Sequence, residues 1–163
     1  MSILGGADGP TSIFLAGKLQ AGWLNLSGLL LVVLLLLPNI LYAFRFRGKG
    51  QAGEKGAAHI LEQVGRYASI FLMVLPVGRA ELGFWSLGAF LAYGIGNAVL
   101  LLSYWLVWAA YFHRQSPRKA MALAVIPAVM FELSGITMGH PLLCVSAAVF
   151  AVSHIFLTRR NHS

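Results

Sequence analysis

Long apolar runs separated by short polar segments dominate the chain. A membrane-crossing helix needs about 20 mainly apolar residues, because the hydrocarbon core of a bilayer is about 30 Å thick. The clearest run, residues 24–44, is rich in leucine and valine, with Trp23 before it and Arg45 after it. Aromatic and basic residues at the two interfaces are typical of a transmembrane helix. The pattern predicts five spans, at residues 24–44, 61–78, 89–111, 120–138 and 142–157.

The second and third spans have unusual lengths. Only twelve residues separate Arg66 from Arg79, fewer than the roughly 17 that a crossing requires. We therefore expect this helix to begin near Leu61, with Arg66 extending its side chain towards the membrane surface. Residues 82–112 carry no charge, and these 31 residues are too many for one perpendicular crossing at about 1.5 Å per residue. Residues 79–87 are accordingly predicted to lie at the interface.

Composition supports a membrane protein and argues against a nucleic-acid partner. Hydrophobic residues make up 58% of the chain and charged residues 10%, against about 25% charged in an ordinary soluble domain. The net charge of +7 comes from basic residues at the ends of apolar runs, so the lipid bilayer is the expected partner. With 163 residues we expect a single integral membrane domain, residues 1–163. Its one cysteine, Cys144, excludes a disulfide framework and a zinc-binding cysteine pair.

Lysine and arginine concentrate on one side of the predicted five-span arrangement. Ten fall on that side and only Lys18 and Arg79 on the other. Because basic loops stay in the cytoplasm, we predict a multi-pass protein of the cell (inner) membrane, with its N-terminus outside and its C-terminus cytoplasmic. If the second segment did not cross, the basic segments would be divided between both sides. The ten residues are Arg45, Arg47, Lys49, Lys55, Arg66, Arg114, Arg118, Lys119, Arg159 and Arg160.

Residues 3–15, ILGGADGPTSIFL, form an unusual motif within the N-terminal segment, residues 1–22. Glycine permits positive φ and close backbone approach, and a proline suits the first turn of a helix. Non-helical backbone within a membrane is tolerated only where protein or a wet cavity surrounds it. We predict a glycine-rich loop or re-entrant segment, the alternative being an aspartate-capped tail at the outer interface. The predicted loop-forming residues are Gly5, Gly6, Gly9, Pro10 and Thr11.

The phrase GGADGPTSIF resembles the signature loop of the β subunits of sodium ion-translocating, biotin-dependent decarboxylases. In that family the aspartate of this loop is a proposed sodium ligand, so the resemblance implies sodium binding at Asp8. It covers only this motif, since the family's subunit is much longer and carries the loop in mid-chain. The whole chain is similar to small membrane proteins of clostridial type, which open with this phrase. They continue with stretches like residues 38–47 (PNILYAFRFR) and 62–67 (EQVGRY).

Two further polar residues lie within predicted spans. An ionisable residue inside a membrane is costly, so Glu132 in the fourth span is a candidate functional residue. Asn97 in the third span falls at a comparable depth, and a hydrogen bond between helices is its alternative role. Together with Asp8, these residues would offer carboxylate and amide oxygens to a hard cation in an outer vestibule. Ser134 and Thr137 would add hydroxyl oxygens.

Two functions therefore follow as hypotheses. The first is a transporter-like or accessory subunit that binds a cation, with sodium as the only expected ligand and no other cofactor or metal. The second is a scaffold that forms a homo-oligomer or joins a larger membrane complex through small residues spaced four apart, such as Ala124 and Ala128. No catalytic residue is predicted, because the chain has no nucleophile–histidine–acid set, phosphate-binding loop or metalloprotease spacing.

Overall fold

The computed structural model of the protein describes residues 20–21, 24–45, 56–75, 77 and 84–160. Within these residues it contains five helices: α1 (Leu26–Arg45), α2 (Ala57–Val74), α3 (Leu87–His113), α4 (Pro117–Thr137) and α5 (Pro141–Arg160). A short antiparallel pair, β1 (Gln20–Ala21) and β2 (Leu24–Asn25), precedes α1. The prediction of an all-α membrane protein is confirmed. The predicted N-terminal loop lies outside the described residues.

Four of these helices, α1, α3, α4 and α5, are long and apolar enough to cross a membrane. The remaining helix, α2, is not among them because His59, Glu62 and Arg66 interrupt its apolar sequence. It overlaps the predicted second span, residues 61–78, and runs from Ala57 to Val74. The described part of the protein is thus a bundle of four strongly apolar helices and one that carries charge.

Local sequence features determine where the last three helices begin. Ser86 caps α3 by accepting a hydrogen bond from the backbone N–H of Ala89, at 3.0 Å. Ser116 accepts in the same way from Lys119 at the start of α4, where Pro117 occupies the first turn. These are the residue types that satisfy the unpaired N–H groups of a helix start. The turn into α5 requires Gly139, whose φ of 59° lies in the left-handed region.

Each helix of the bundle runs antiparallel to the one before it. Glu62 and Ser69 of α2 meet His154 and Ser146 of α5, so these two helices point in opposite directions. By contrast, α1 and α3 are parallel. Ser27 of α1 lies 3.4 Å from Tyr93 of α3, and further along both helices Asn39 bonds to Tyr104. The alternation brings the Arg45, His113 and Arg160 ends of α1, α3 and α5 to the same end of the bundle.

The charged helix α2 has an inverted arrangement of polar and apolar faces. Its buried residues are Glu62, Gly65, Ser69 and Met73, which recur at intervals of three or four. A surface helix of a soluble protein shows the opposite pattern, with polar residues outside. The outward-facing side chains of α2 are instead large and apolar, and each is more than half exposed: Ile60, Leu61, Val64, Tyr67 and Phe71.

A proline in the middle of α1 leads to a hydrogen bond between α1 and α3. Pro38 has no N–H, so the carbonyl of Leu34 loses its usual partner within the helix. Trp105 of α3 donates its indole N–H to this carbonyl at 3.1 Å. The next residue, Asn39, donates to the Tyr104 hydroxyl at 2.8 Å. The proline therefore creates an acceptor that a neighbouring helix uses.

Large apolar side chains from all five described helices fill the core, including Leu35, Met73, Tyr104, Phe131 and Phe150. Small residues allow the helices to approach one another. Ala124 and Ala128 of α4 and Ala147 of α5 are almost fully buried. These alanines therefore serve packing between helices of the same chain.

Candidate functional site

The most deeply buried acidic side chain among the described residues is Glu62 of α2, which is 3% exposed. Its carboxylate forms an ion pair with Arg66, one turn further along α2. The same carboxylate lies 3.2 Å from Nδ1 of His154 on α5 and 3.9 Å from Nδ1 of His59. We refer to Glu62, Arg66 and His154 as the Glu62 cluster. A buried carboxylate is stable only with such partners, because removing a charge from water is costly.

A close approach of two helices assembles this cluster. A Cβ atom built on Gly65 would lie 2.7 Å from the backbone nitrogen of Phe150, so only glycine allows α2 to lie so close to α5. One turn away, Ser69 donates a hydrogen bond to Ser146 across the same interface, at 3.1 Å. Small residues at a membrane helix interface have this role in general. The tight contact holds the carboxylate of Glu62 within reach of His154.

The aromatic ring of Phe150 supports both basic partners. The His154 ring stacks on it, with centroids 4.9 Å apart and an angle of 19° between the planes. The Arg66 guanidinium carbon lies 5.8 Å from the centroid of the same ring. The contact of the guanidinium with the ring is a cation–π interaction. Phe150 therefore fixes the orientation of both groups as they face Glu62.

Beside the Glu62 cluster is a cavity of about 180 Å³, which we call the central cavity. All five described helices contribute to its wall. Its polar residues come from four of them: Asn39 of α1, Arg66 of α2, Tyr104 of α3 and His154 of α5. The remaining helix, α4, contributes Leu123 and Pro127, and a proline at this spacing frees the carbonyl of Leu123 from its helical bond. The cavity thus combines hydrogen-bond donors, acceptors and a cation within an otherwise apolar bundle.

The groups in the cavity wall offer hydrogen bonds and a positive charge to a ligand. Arg66 carries five N–H donors in a planar fork, and its ion pair with Glu62 leaves others available to a ligand. Within the described residues there is no group of three or more histidine, cysteine, aspartate or glutamate side chains arranged to hold a metal ion. A nucleophile activated by a neighbouring base is likewise missing from the wall of the central cavity. The free N–H donors of Arg66 and the other polar groups of the wall are chemically able to hold a small polar or charged solute.

Asn97, predicted as a cation ligand, is buried between α3 and α4. Its amide donates to the backbone carbonyl of Tyr93 at 2.9 Å and to the Ser134 hydroxyl at 3.1 Å. Ser134 in turn donates to the carbonyl of Met130 at 2.7 Å. The asparagine thus makes the hydrogen bond between helices that was the alternative interpretation of the sequence.

Glu132, the second predicted ligand, is half-buried on another side of α4. Two residues correspond to about 200° of helical rotation, so Glu132 and Ser134 lie on nearly opposite faces. The described residues provide no ion pair to this carboxylate. The structure therefore does not bring Glu132 and Asn97 together.

The remaining predicted site residues belong to the N-terminal motif and lie outside the described residues. They are Gly5, Gly6, Asp8, Gly9, Pro10 and Thr11.

Sequence reasoning missed the Glu62 cluster. Glu62 and Arg66 are four residues apart, the spacing of an ion pair on a helix, but that spacing alone also fits a solvated face. Gly65 and Ser69 continue the same stripe with small residues, which is the signal of a helix interface in a membrane. His154 lies inside an apolar run, where an ionisable side chain is itself a functional indication.

Comparison of the chain with protein-family models, with curated proteins and with solved structures finds no match.

Proposed function

We propose that this protein is a five-crossing membrane protein that admits a small polar solute into the central cavity. One observation carries the proposal. All five described helices border a cavity whose wall includes the guanidinium of Arg66, the His154 ring and the neutral polar side chains of Asn39 and Tyr104. Intramembrane ionisable residues that face the interior of a bundle mark solute and ion pathways in membrane proteins. Solute binding or transport is therefore the function that these residues support best.

The inverted faces of α2 support a fifth crossing. Its large apolar side chains point outward, while Glu62 points into the bundle. This arrangement is favourable only if lipid surrounds the helix, because water would favour the opposite orientation. At one end of α2, Met73 accepts a hydrogen bond from Asn25, and at the other end Glu62 reaches His154. The helix therefore extends beside its neighbours through most of the height of the bundle.

The distribution of basic residues supports an orientation for this cavity. Arg45 ends α1, and Arg159 and Arg160 end α5, at the end of the bundle nearer the Glu62 cluster. Basic segments remain on the cytoplasmic side of a membrane. In the proposed arrangement the C-terminus is cytoplasmic and the central cavity lies in the cytoplasmic half of the bilayer.

Packing weakens the alternative of a scaffold that assembles through its alanines. Ala124, Ala128 and Ala147 already contact neighbouring helices of the same chain, so they offer no surface to a partner. The scaffold hypothesis would also leave the Glu62 cluster without a role. Buried ion pairs of this kind contribute little net stability.

Thiol labelling tests the proposed function directly. The single cysteine is removed by Cys144→Ser, and Leu123→Cys then introduces a thiol into the wall of the central cavity. Leu102→Cys is the matched control, because Leu102 lies on the outer face of α3 and is 64% exposed there. A thiol reacts with methyl methanethiosulfonate as the thiolate, which requires water.

If the cavity admits water and solutes, the thiol at position 123 should react much faster than the thiol at position 102. Equal, slow reaction at both positions in the folded protein would show that the cavity is closed to solutes, and the proposed function would be wrong.

A further inference from the structure

We propose that the solute is a short-chain monocarboxylate and that one proton enters the Glu62 cluster with it. This inference rests on the proposed function, because it identifies the ligand of the same central cavity. It assigns Arg66 as the anchor for the carboxylate of the solute and His154 as the group that takes the proton.

The planar guanidinium of Arg66 explains why the cavity would select a carboxylate over other anions. Its N–H groups form a fork that matches the two oxygens of a carboxylate, and such bidentate pairs combine strength with a defined orientation. Glu62 occupies part of that fork and also holds the side chain in place. The Tyr104 hydroxyl, which accepts from Asn39, borders the same cavity and can donate its own O–H to a carboxylate oxygen. A spherical anion such as chloride would not use this geometry.

The apolar part of the cavity wall explains why the proposed solute would carry a short hydrocarbon tail. Leu35, Ile70, Phe131 and Phe150 also line the cavity and give it apolar surface. The volume of about 180 Å³ is slightly larger than the roughly 150 Å³ of an engineered cavity that binds benzene. A solute of about six heavy atoms therefore fits, which corresponds to an acid of about four carbons.

Charge balance accounts for the proton. Arg66 and Glu62 neutralise each other, so a bound carboxylate would add an uncompensated negative charge inside an apolar bundle. That arrangement is costly unless a second cation is present. His154 is 3.2 Å from Glu62 and borders the cavity, and histidine is the side chain that gains a proton near neutral pH. With His154 protonated, two positive charges face two negative charges.

Among the described residues, few titratable or charged side chains lie near His154. Glu62 of α2 contacts His154 directly, Arg66 of α2 and Tyr104 of α3 share the cavity wall with it, and His59 of α2 lies near the Glu62 carboxylate. The cavity-lining residues of α1 and α4 have no titratable side chains. Of these groups, His59 is the other histidine near Glu62, so His59→Gln is the matched control for His154→Gln.

The test measures protection of the thiol at position 123 in the Cys144→Ser, Leu123→Cys protein. Labelling by methyl methanethiosulfonate is timed with butyrate, with butyramide and with chloride at constant ionic strength. Protection is expressed as the ratio of rates without and with each compound at the same pH, because the thiolate fraction itself changes with pH. At a concentration of twice the Kd, butyrate should slow labelling about threefold by mass action, whereas butyramide and chloride should not protect.

The variants and the pH then test the assigned groups. Protection by butyrate should be weaker in Arg66→Lys, which keeps the charge but loses the fork, and should be lost in Arg66→Gln. It should be stronger at about pH 6 than at about pH 8, because binding that takes up a proton is favoured at lower pH. His154→Gln should remove this difference, and His59→Gln should retain it. In each variant, labelling without butyrate that stays faster than at position 102 establishes that the cavity is still formed, and protection is referred to that variant's own rate because nearby cations change the thiolate fraction.

The possible failures are distinct. Equal protection by butyramide and butyrate would overturn the carboxylate assignment and leave solute entry intact. Carboxylate-specific protection that is equal at both pH values would overturn the role of the proton. Rapid labelling that none of the compounds slows would also overturn the inference, whereas an unreactive thiol at position 123 would overturn the proposed function itself.

Discussion

Substituting three glycines by alanine separates close helix packing from intrinsic helix preference. At Gly65 an added Cβ would meet the backbone of Phe150, at 2.7 Å from its nitrogen and 2.9 Å from its Cα. At Gly94 of α3 it would meet nothing within 4 Å. Both positions lie inside helices, so both variants gain the same preference of alanine over glycine, up to about 1 kcal/mol. The difference between the two variants therefore reports the packing contact alone.

Relief of the contact at Gly65 requires a backbone to move, and overpacking of this kind costs about 1–3 kcal/mol. We expect Gly65→Ala to unfold about 1–3 kcal/mol more readily than Gly94→Ala. Gly96→Ala should fall between them, because the Cβ would meet only the tip of the Leu133 side chain, at 2.6 Å. A side chain can change rotamer at lower cost than a backbone can shift.

The assay is unfolding by dodecyl sulfate in mixed micelles, followed by tryptophan fluorescence. Trp108 lies in the core of the bundle and should report the transition. Equal midpoints for Gly65→Ala and Gly94→Ala would refute the close packing of α2 against α5, and with it the geometry of the Glu62 cluster.

Further predictions concern charge, topology and the N-terminal motif. In the same assay, Glu62→Gln should lower the free energy of unfolding by about 1–3 kcal/mol, because Arg66 and His154 lose their charged partner. Glu132→Gln should change the free energy of unfolding by less than about 0.5 kcal/mol. Equal losses in the two variants would contradict the deeper burial of Glu62. A reporter fused after Ser163 should be cytoplasmic and one before Met1 external, whereas matching locations would contradict five crossings. If the motif binds sodium, the melting temperature should rise with sodium but not choline, and Asp8→Asn should abolish the rise.

The sequence was sufficient to predict four of the described helices because their signal is local. In α1, α3, α4 and α5 the apolar runs are long enough to cross a bilayer, and no packing partner is needed to recognise them. Their first residues also follow local rules, as Ser86 and Ser116 illustrate by capping α3 and α4. For α2 the prediction depended on placing the start of the helix before Arg66.

The candidate site could not be predicted because it depends on how α2 is rotated about its own axis. An ion pair between Glu62 and Arg66 fits a face in water as well as a face inside the bundle. The choice is made by Gly65, which permits contact with Phe150 on a helix about 85 residues away in sequence. The same limit applies to Asn97, whose partner Ser134 is determined by the packing of α3 on α4.

The energetics of the Glu62 cluster favour a functional role over a structural one. A bundle that is apolar almost everywhere gains little from an internal ion pair, because the cost of taking its charges out of water offsets their attraction. Apolar side chains of similar volume would pack the same space at no such cost. The hydrogen bonds of Ser69 and Asn97 already join neighbouring helices without any charge. Arg66 and His154 instead border a cavity to which all five described helices contribute. Charge at that position is most simply explained by a ligand that requires it.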